Sequence, residues 1–153
     1  MKRIISCFLL AVLVISAFPV TCFAATVNEE SNVIQYFDNG SYLVETFYII
    51  QSRAADSVTG KRDQTYYDSN GNADWKVVLT GTFTYTGYSA TCTAASCNVT
   101  VYDSTWYTIS KSASKSGNTA YGSVVMGQKM LGMTVTEVPA SLSLQCDADG
   151  NLS

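Results

Sequence analysis

The chain has 153 residues, of which nine are Lys or Arg, 12 are Asp or Glu and none is histidine, giving a formal net charge of −3. Without histidine, a Ser-His-Asp or Cys-His catalytic apparatus and an imidazole-ligated zinc site are excluded. The lysines are scattered, so no basic cluster is available to attract nucleic acid or an anionic membrane.

The first 24 residues have the pattern of an export signal. Lys2 and Arg3 give a positive start, the apolar run Ile4–Val20 follows, and Ala24 is a small residue of the kind at which signal peptidase cleaves. A membrane anchor is disfavoured because the apolar run is short for a bilayer span. A lipoprotein is disfavoured because Cys22 follows Pro-Val-Thr and not a short motif of apolar and small residues.

Cleavage after residue 24 leaves residues 25–153, with seven basic and 12 acidic residues and a net charge near −5. A chain of this length fits one domain with a single core. We therefore expect an extracellular, monomeric protein that contacts neither nucleic acid nor membrane after cleavage and needs no cofactor.

The remaining sequence indicates β-strands throughout. Between Trp75 and Thr86 the odd positions are mostly apolar and the even positions mostly threonine, which is the period of a half-buried strand. Similar segments rich in Thr, Val and Tyr recur along the chain, with no helical period. The predicted strands are Asn32–Phe37, Tyr42–Gln51, Lys61–Tyr67, Ala73–Thr86, Cys97–Tyr102, Trp106–Ser114, Thr119–Met126 and Met133–Cys146.

Seven or eight such strands predict an all-β fold, a single antiparallel β-sandwich or barrel. The favoured topology is an immunoglobulin-like sandwich, although the Cys-Trp-Cys order of immunoglobulin domains is absent because Trp75 precedes every cysteine of residues 25–153. Trp75, Phe83 and Tyr85 are assigned to the core. The Asn-Gly pairs at Asn39-Gly40 and Asn70-Gly71 suit two-residue hairpin turns.

Cys92, Cys97 and Cys146 remain after cleavage, so one must stay unpaired within a monomer. Cys146 shares a strand face with Leu142 and Leu144, and Cys92 lies between two threonines, so both are expected to point inward. The favoured pairing is Cys92–Cys146; Cys92–Cys97, an intermolecular bridge and no bridge are the alternatives. Cys97 aligns with apolar residues and is expected to be a buried thiol.

Several segments together resemble a family of small exported proteins of Gram-positive, clostridial-type anaerobes, many from the gut. The matching segments are residues 36–42, 66–77, 81–85, 92–96 and 146–153. The resemblance implies secretion, a β fold and a bridge between Cys92 and Cys146, with Cys97 as a departure. It implies no activity and no catalytic residue.

Acidic residues give little support for catalysis. The aspartates fall at predicted turns, where their side chains bond to backbone N–H groups: Asp38, Asp68, Asp74, Asp147 and Asp149. Glu45 is the one acid in the middle of a strand, and a solvated strand face explains it. The segment starting at Asp68 has oxygen side chains at alternate positions but Ala73 and Leu79 where a calcium loop requires Gly and a bidentate acid, so a hairpin turn is favoured over a weak calcium site.

Aromatic side chains provide the remaining candidate site. Sugar rings pack against aromatic planes, and the candidates off the clearest core face are Tyr66, Tyr67, Tyr88, Tyr102 and Trp106. Tyrosine is also an ordinary strand residue, which is the competing explanation. We expect a non-catalytic module that binds an extracellular glycan or protein; the alternatives are a small carboxylate- or metal-dependent hydrolase and a secreted, bacteriocin-like effector.

Overall fold

A computed structural model describes residues 29–50 and 56–153. Its strands are β1 (Glu29–Tyr36), β2 (Tyr42–Ile50), β3 (Ser57–Tyr67), β4 (Ala73–Tyr85), β5 (Ala90–Val101), β6 (Trp106–Ser116), β7 (Thr119–Met130) and β8 (Met133–Gln145). All eight predicted strands are confirmed, with β5 beginning seven residues earlier than expected. The predicted export signal and Gln51, the last residue of the second predicted strand, lie outside the described residues. Within the described ranges, no helix is long and apolar enough to span a membrane.

The strands form two antiparallel sheets. Strands β1 to β5 make a five-stranded sheet, here called sheet A, and β6 to β8 make a three-stranded sheet, called sheet B. Strand β8 lies over β3 and β4, and β7 lies over β4 and β5, so the two sheets stack as the predicted sandwich. Sheet B is narrower, and in the described part of the chain β1 and β2 extend beyond it.

The immunoglobulin-like topology predicted from the sequence is wrong. In both sheets the strand order follows the chain order, so every strand pairs with its sequence neighbours in the same sheet, and within the described residues the chain changes sheet once, between β5 and β6. An immunoglobulin sandwich needs Greek-key connections that carry the chain between sheets. Here each strand of sheet A is antiparallel to the next strand of the chain and pairs with it directly, without a crossover.

The core lies between the inner faces of the two sheets. Along β4, Trp75, Val77, Leu79 and Phe83 are 0% exposed, as the alternation predicted, whereas Tyr85 is only half-buried against the core. Sheet B contributes smaller side chains, chiefly Ala120, Val124, Met126, Ala140, Leu142 and Leu144. The core therefore combines aromatic and aliphatic groups from sheet A with mostly small and aliphatic groups from sheet B, where Trp106 of β6 is the aromatic exception.

Three turns share one geometry. In the turns that begin at Phe37, Asp68 and Asp147, the fourth residue is a glycine with φ between 82° and 87°, and its N–H donates to the carbonyl of the first residue. The N–H of the first residue donates to the carbonyl of the fifth. These are three-residue loops with a left-handed glycine and not the two-residue turns predicted from the Asn-Gly pairs.

Residues after β8 fold back onto the sandwich. Following the Asp147 turn, Leu152 forms a bridge to Cys146, and Ser153 exchanges backbone hydrogen bonds with Gln145. Leu152 is 9% exposed and packs on Gly60 so closely that a Cβ there would lie 2.5 Å from its Cδ1. Residues 147–153 are thus part of the packed structure.

Candidate functional site

Two of the five predicted ligand-binding residues, Tyr66 and Trp106, belong to the core. They are 3% and 4% exposed. Tyr66 stacks on Trp75 at a centroid distance of 5.3 Å and donates its hydroxyl to Ser41 Oγ at 2.6 Å, while Trp106 packs against both rings. The assignment of Tyr66 and Trp106 to a binding surface is therefore wrong, because the cross-strand register places Tyr66 directly opposite Trp75.

Trp106 also fixes a buried carboxylate. Its Nε1 donates to Asp74 Oδ2 at 3.0 Å, and Asp74 is 8% exposed near the start of β4 and not in a turn as predicted. Burial raises the pKa of Asp74, although the bond from Trp106 opposes the increase. Asp74 and Trp106 together hold residues 102–105, which connect β5 to β6, in place. The backbone carbonyl of Asp74 accepts hydrogen bonds from the N–H groups of Tyr102 and Asp103 in this connection.

The other three predicted residues are accessible but separate. Tyr88 is 95% exposed in the turn before β5, and Tyr102 is 55% exposed just after β5, so the length of that strand lies between them. Tyr67 ends β3 and is half-buried. The five candidates therefore do not form one site.

Tyr67 instead belongs to a row of three tyrosines that the sequence analysis missed. Tyr36, Tyr42 and Tyr67 are directly paired across β1, β2 and β3. Tyr42 and Tyr67 stack with centroids 5.1 Å apart and planes 13° apart, and Tyr36 lies 6.1 Å from Tyr42 at 40°. Tyr36 is 74% exposed. This tyrosine row stands on the outer face of sheet A, the face turned away from sheet B.

Two hairpin turns border the tyrosine row. A Cβ on Gly40 would lie 3.2 Å from Ser69 Cβ, so the β1–β2 and β3–β4 turns touch, and the Tyr42 hydroxyl lies near Gly71. Asp68 accepts from the backbone N–H groups of Asn70 and Asn72 at 2.9 and 2.7 Å. The turn interpretation of this segment is therefore supported over a calcium loop, since the carboxylate already holds the turn.

The hydrogen bonds within these turns also set carboxylate acidity. Side-chain and backbone bonds from Asn72 hold the pKa of Asp68 below its usual value, and Asn151 does the same for Asp147. Across residues 29–50 and 56–153, no group of three or more Cys, Asp or Glu is arranged to hold a metal ion.

A pocket of about 310 Å³ opens on the outer face of sheet A, further along β2 to β4. It is lined by Tyr48, Ile50, Lys61, Asp63, Lys76 and Val78. Asp63 is only 1% exposed, and its Oδ2 accepts from Lys76 Nζ at 2.7 Å and from Thr65 Oγ1 at 3.4 Å. This cavity is called the Asp63 pocket below.

Charges in the Asp63 pocket act on one another. Burial lowers the pKa of Lys76, but the hydrogen bond and charge of Asp63 outweigh it, so the net pKa is raised. Burial and the charge of Asp63 raise the pKa of the Tyr48 hydroxyl. Asp63 and Lys76 therefore form a strong ion pair with Tyr48 beside it.

Glu45, the acid singled out in the sequence, lines a second concavity at the edge left uncovered by sheet B. The groove measures about 370 Å³ and includes Phe47, Arg62 and the chain end at Ser153. Glu45 accepts from Gln64 Nε2 at 3.0 Å and lies 3.6 Å from Arg62 Nη1. Glu45 is thus engaged by neighbouring side chains and does not stand free as the predicted solvated acid would.

The three cysteines are all buried free thiols, and no disulfide is seen among the described residues. Cys92 and Cys97 lie five positions apart on β5, about 16 Å along an extended strand, which excludes the alternative bridge between them. Cys92 N donates to the carbonyl of Gly117 at 2.8 Å, and Cys146 N donates to the next carbonyl, that of Asn118, at 3.0 Å. Cys92 and Cys146 therefore flank the same β6–β7 turn.

The acidity of the thiols reflects their burial. Burial raises the pKa of all three, and Asp147 and the neighbouring Cys92 raise that of Cys146 further. None has the depressed pKa of a nucleophilic cysteine.

Comparisons with protein-family models, with curated proteins and with solved structures find no match to this chain.

Proposed function

We propose that the protein acts outside the cytoplasm as a non-catalytic, monomeric interaction module that binds a glycan of a cell envelope or host surface. The observation that carries the proposal is the tyrosine row on the outer face of sheet A. Stacking between Tyr42 and Tyr67 holds these two rings in place. The ring edges of the row and the ring faces that the stacking leaves uncovered offer apolar surface for sugar C–H groups, at a small loss of side-chain entropy on binding.

Location outside the cytoplasm rests on the pattern of the first 24 residues, and it makes a bridge between Cys92 and Cys146 part of the proposal. Both thiols are buried and lie beside one turn, that between β6 and β7. A domain whose ligand surface is a sheet face benefits from such a bond, because it ties the end of β8 to β5.

The test is binding of purified protein to polysaccharides, mucin and bacterial cell walls, with calcium and with chelator, measuring bound protein and released sugar together. We expect binding without sugar release. A triple variant with Ala at Tyr36, Tyr42 and Tyr67 should bind at least about tenfold more weakly. Tyr121→Ala, which removes an exposed tyrosine from the outer face of sheet B, is the matched control and should bind normally.

Circular dichroism and the thermal midpoint of each variant separate loss of binding from loss of folding. Failure of the protein to bind any of the glycans would refute the proposal. Release of sugar would indicate the hydrolase alternative, and equal binding by the triple variant would move the site away from the tyrosine row.

A further inference from the structure

The Asp63 pocket contains a buried carboxylate oxygen that the fold leaves unused. Asp63 lies on β3, the middle strand of sheet A, between Thr46 on β2 and Val78 on β4. Its Oδ2 takes the bonds from Lys76 and Thr65, and the Tyr48 hydroxyl lies beside the carboxylate, but among the described residues no donor reaches hydrogen-bond geometry with Oδ1.

A buried polar oxygen without a donor is costly, and folded proteins rarely leave one unexplained. Lys76 already satisfies the charge of Asp63 at Oδ2, so what Oδ1 lacks is a hydrogen-bond donor. Asp63 is one of the residues that line the Asp63 pocket, whose volume is within the range of small-molecule sites.

The remaining lining restricts the ligand. The Tyr48 ring, Ile50 and Val78 supply apolar walls, and Lys61 and Lys76 supply ammonium donors. Glu29 lies opposite Tyr48 on β1, so two acidic and two basic groups face this region. Because these charges balance, the pocket gives no net electrostatic attraction to a cation or an anion. A neutral molecule that carries hydroxyl groups on an apolar ring fits both the polar groups and the apolar walls of the pocket.

We infer that the Asp63 pocket binds one neutral pyranose residue. One sugar hydroxyl donates to Asp63 Oδ1, another accepts from a lysine ammonium group, and the C–H face of the ring packs on Tyr48. The inference rests on the proposed function in that the ligand is a sugar. It goes further by naming a subsite four residues along β3 from Tyr67, which would select the sugar while the tyrosine row adds contact area.

The experiment is an NMR titration of the ¹⁵N-labelled protein with glucose, galactose, mannose and N-acetylglucosamine at millimolar concentrations. At least one sugar should shift the backbone amide signals of Asp63 and Val78 in a saturable way. Asp63→Asn should weaken that binding at least about tenfold, because a hydrogen bond to a charged group is lost.

Asp63→Asn also breaks the ion pair with Lys76, so a second variant keeps the test decisive. Val78→Phe fills the pocket, leaves Asp63 and Lys76 intact and should abolish the sugar-induced shifts. Thr84→Phe adds the same bulk to the same face of β4, about 20 Å away along the strand, and should bind as the unmodified protein does.

If none of the sugars shifts the Asp63 and Val78 amides, or if Val78→Phe binds normally, the inference is overturned. Saturable shifts from a single sugar with no binding to any polysaccharide would refute the proposed function and leave the subsite standing. If Val78→Phe still binds polysaccharide and the triple tyrosine variant does not, the proposed function stands and the sugar subsite in the Asp63 pocket is refuted.

Discussion

Oxidation of purified protein comprising residues 25–153, which contain three of the five cysteines, is expected to join Cys92 to Cys146. With glutathione disulfide as the oxidant, one cysteine forms a mixed disulfide and releases one glutathione thiol, and the second cysteine then displaces the other. Two electrons and two protons pass in total to glutathione. Because burial raises the pKa of both thiols, the reaction should accelerate as the pH is raised.

The size of the effect follows from the loop that the bond closes. From Cys92 to Cys146 the loop has 55 residues, for which chain entropy predicts stabilisation of about 4 kcal/mol. In a domain of this size, that free energy corresponds to a rise of about 15 °C in the thermal midpoint. Strain in the disulfide would reduce this stabilisation. The backbone N–H groups of Cys92 and Cys146 already donate to the adjacent carbonyls of Gly117 and Asn118, so the two residues are held close to the same turn.

Intact mass and differential scanning calorimetry provide the assay. The oxidised protein should be lighter by two hydrogen atoms and keep one alkylatable thiol, Cys97. Cys97→Ala should retain the stabilisation, and Cys146→Ala should lose it. Three free thiols after prolonged oxidation, or a bridged protein whose thermal midpoint is unchanged, would refute the reasoning.

Asp74 and two glycines offer further tests of the structure. Burial raises the pKa of Asp74 above its ordinary 3.8, so the folded state holds the carboxyl proton of Asp74 more tightly than the unfolded state does. The free energy of unfolding should therefore fall as the pH rises from 3.8 through the raised pKa. Asp74→Asn should flatten this pH dependence when it is measured by urea unfolding. Trp106→Phe removes the donor to the buried carboxylate and should lower the unfolding free energy by about 1–3 kcal/mol in the same assay. Gly150→Ala puts a Cβ 2.6 Å from the Tyr85 ring at φ 87°, so its thermal midpoint should fall more than that of Gly87→Ala, which has φ 82° and open space; equal losses would show that the contact with Tyr85 is unimportant.

Strand positions were predictable because they depend on local alternation. The inward Trp75, Val77, Leu79 and Phe83 of β4 are the residues that the period of two selected. Topology was predicted wrongly, because the analogy with a common sandwich suggested crossovers, whereas consecutive strands within each sheet pair directly. The spacing of the turns was the better guide.

The candidate site was harder to predict because it depends on cross-strand register. Tyr66 and Tyr67 are adjacent and chemically identical, yet one is in the core and the other on the surface. The tyrosine row and the burial of Asp63 each depend on residues from three different strands. These residues are far apart in the sequence, so a local sequence pattern does not reveal that they are neighbours. The one available signal was the pair Tyr36 and Tyr42, which flank a single hairpin turn symmetrically.

The consecutive strand order has a consequence for how the molecule is made. A chain that emerges amino terminus first, from a ribosome or through a translocation channel, can pair each strand of sheet A with the preceding one as soon as it appears. Stacking of sheet B must wait until β6 to β8 are available. Among the described residues Leu152 is the last core residue to emerge, so removal of residues 147–153 should leave both sheets formed but Gly60 uncovered and the sandwich less stable.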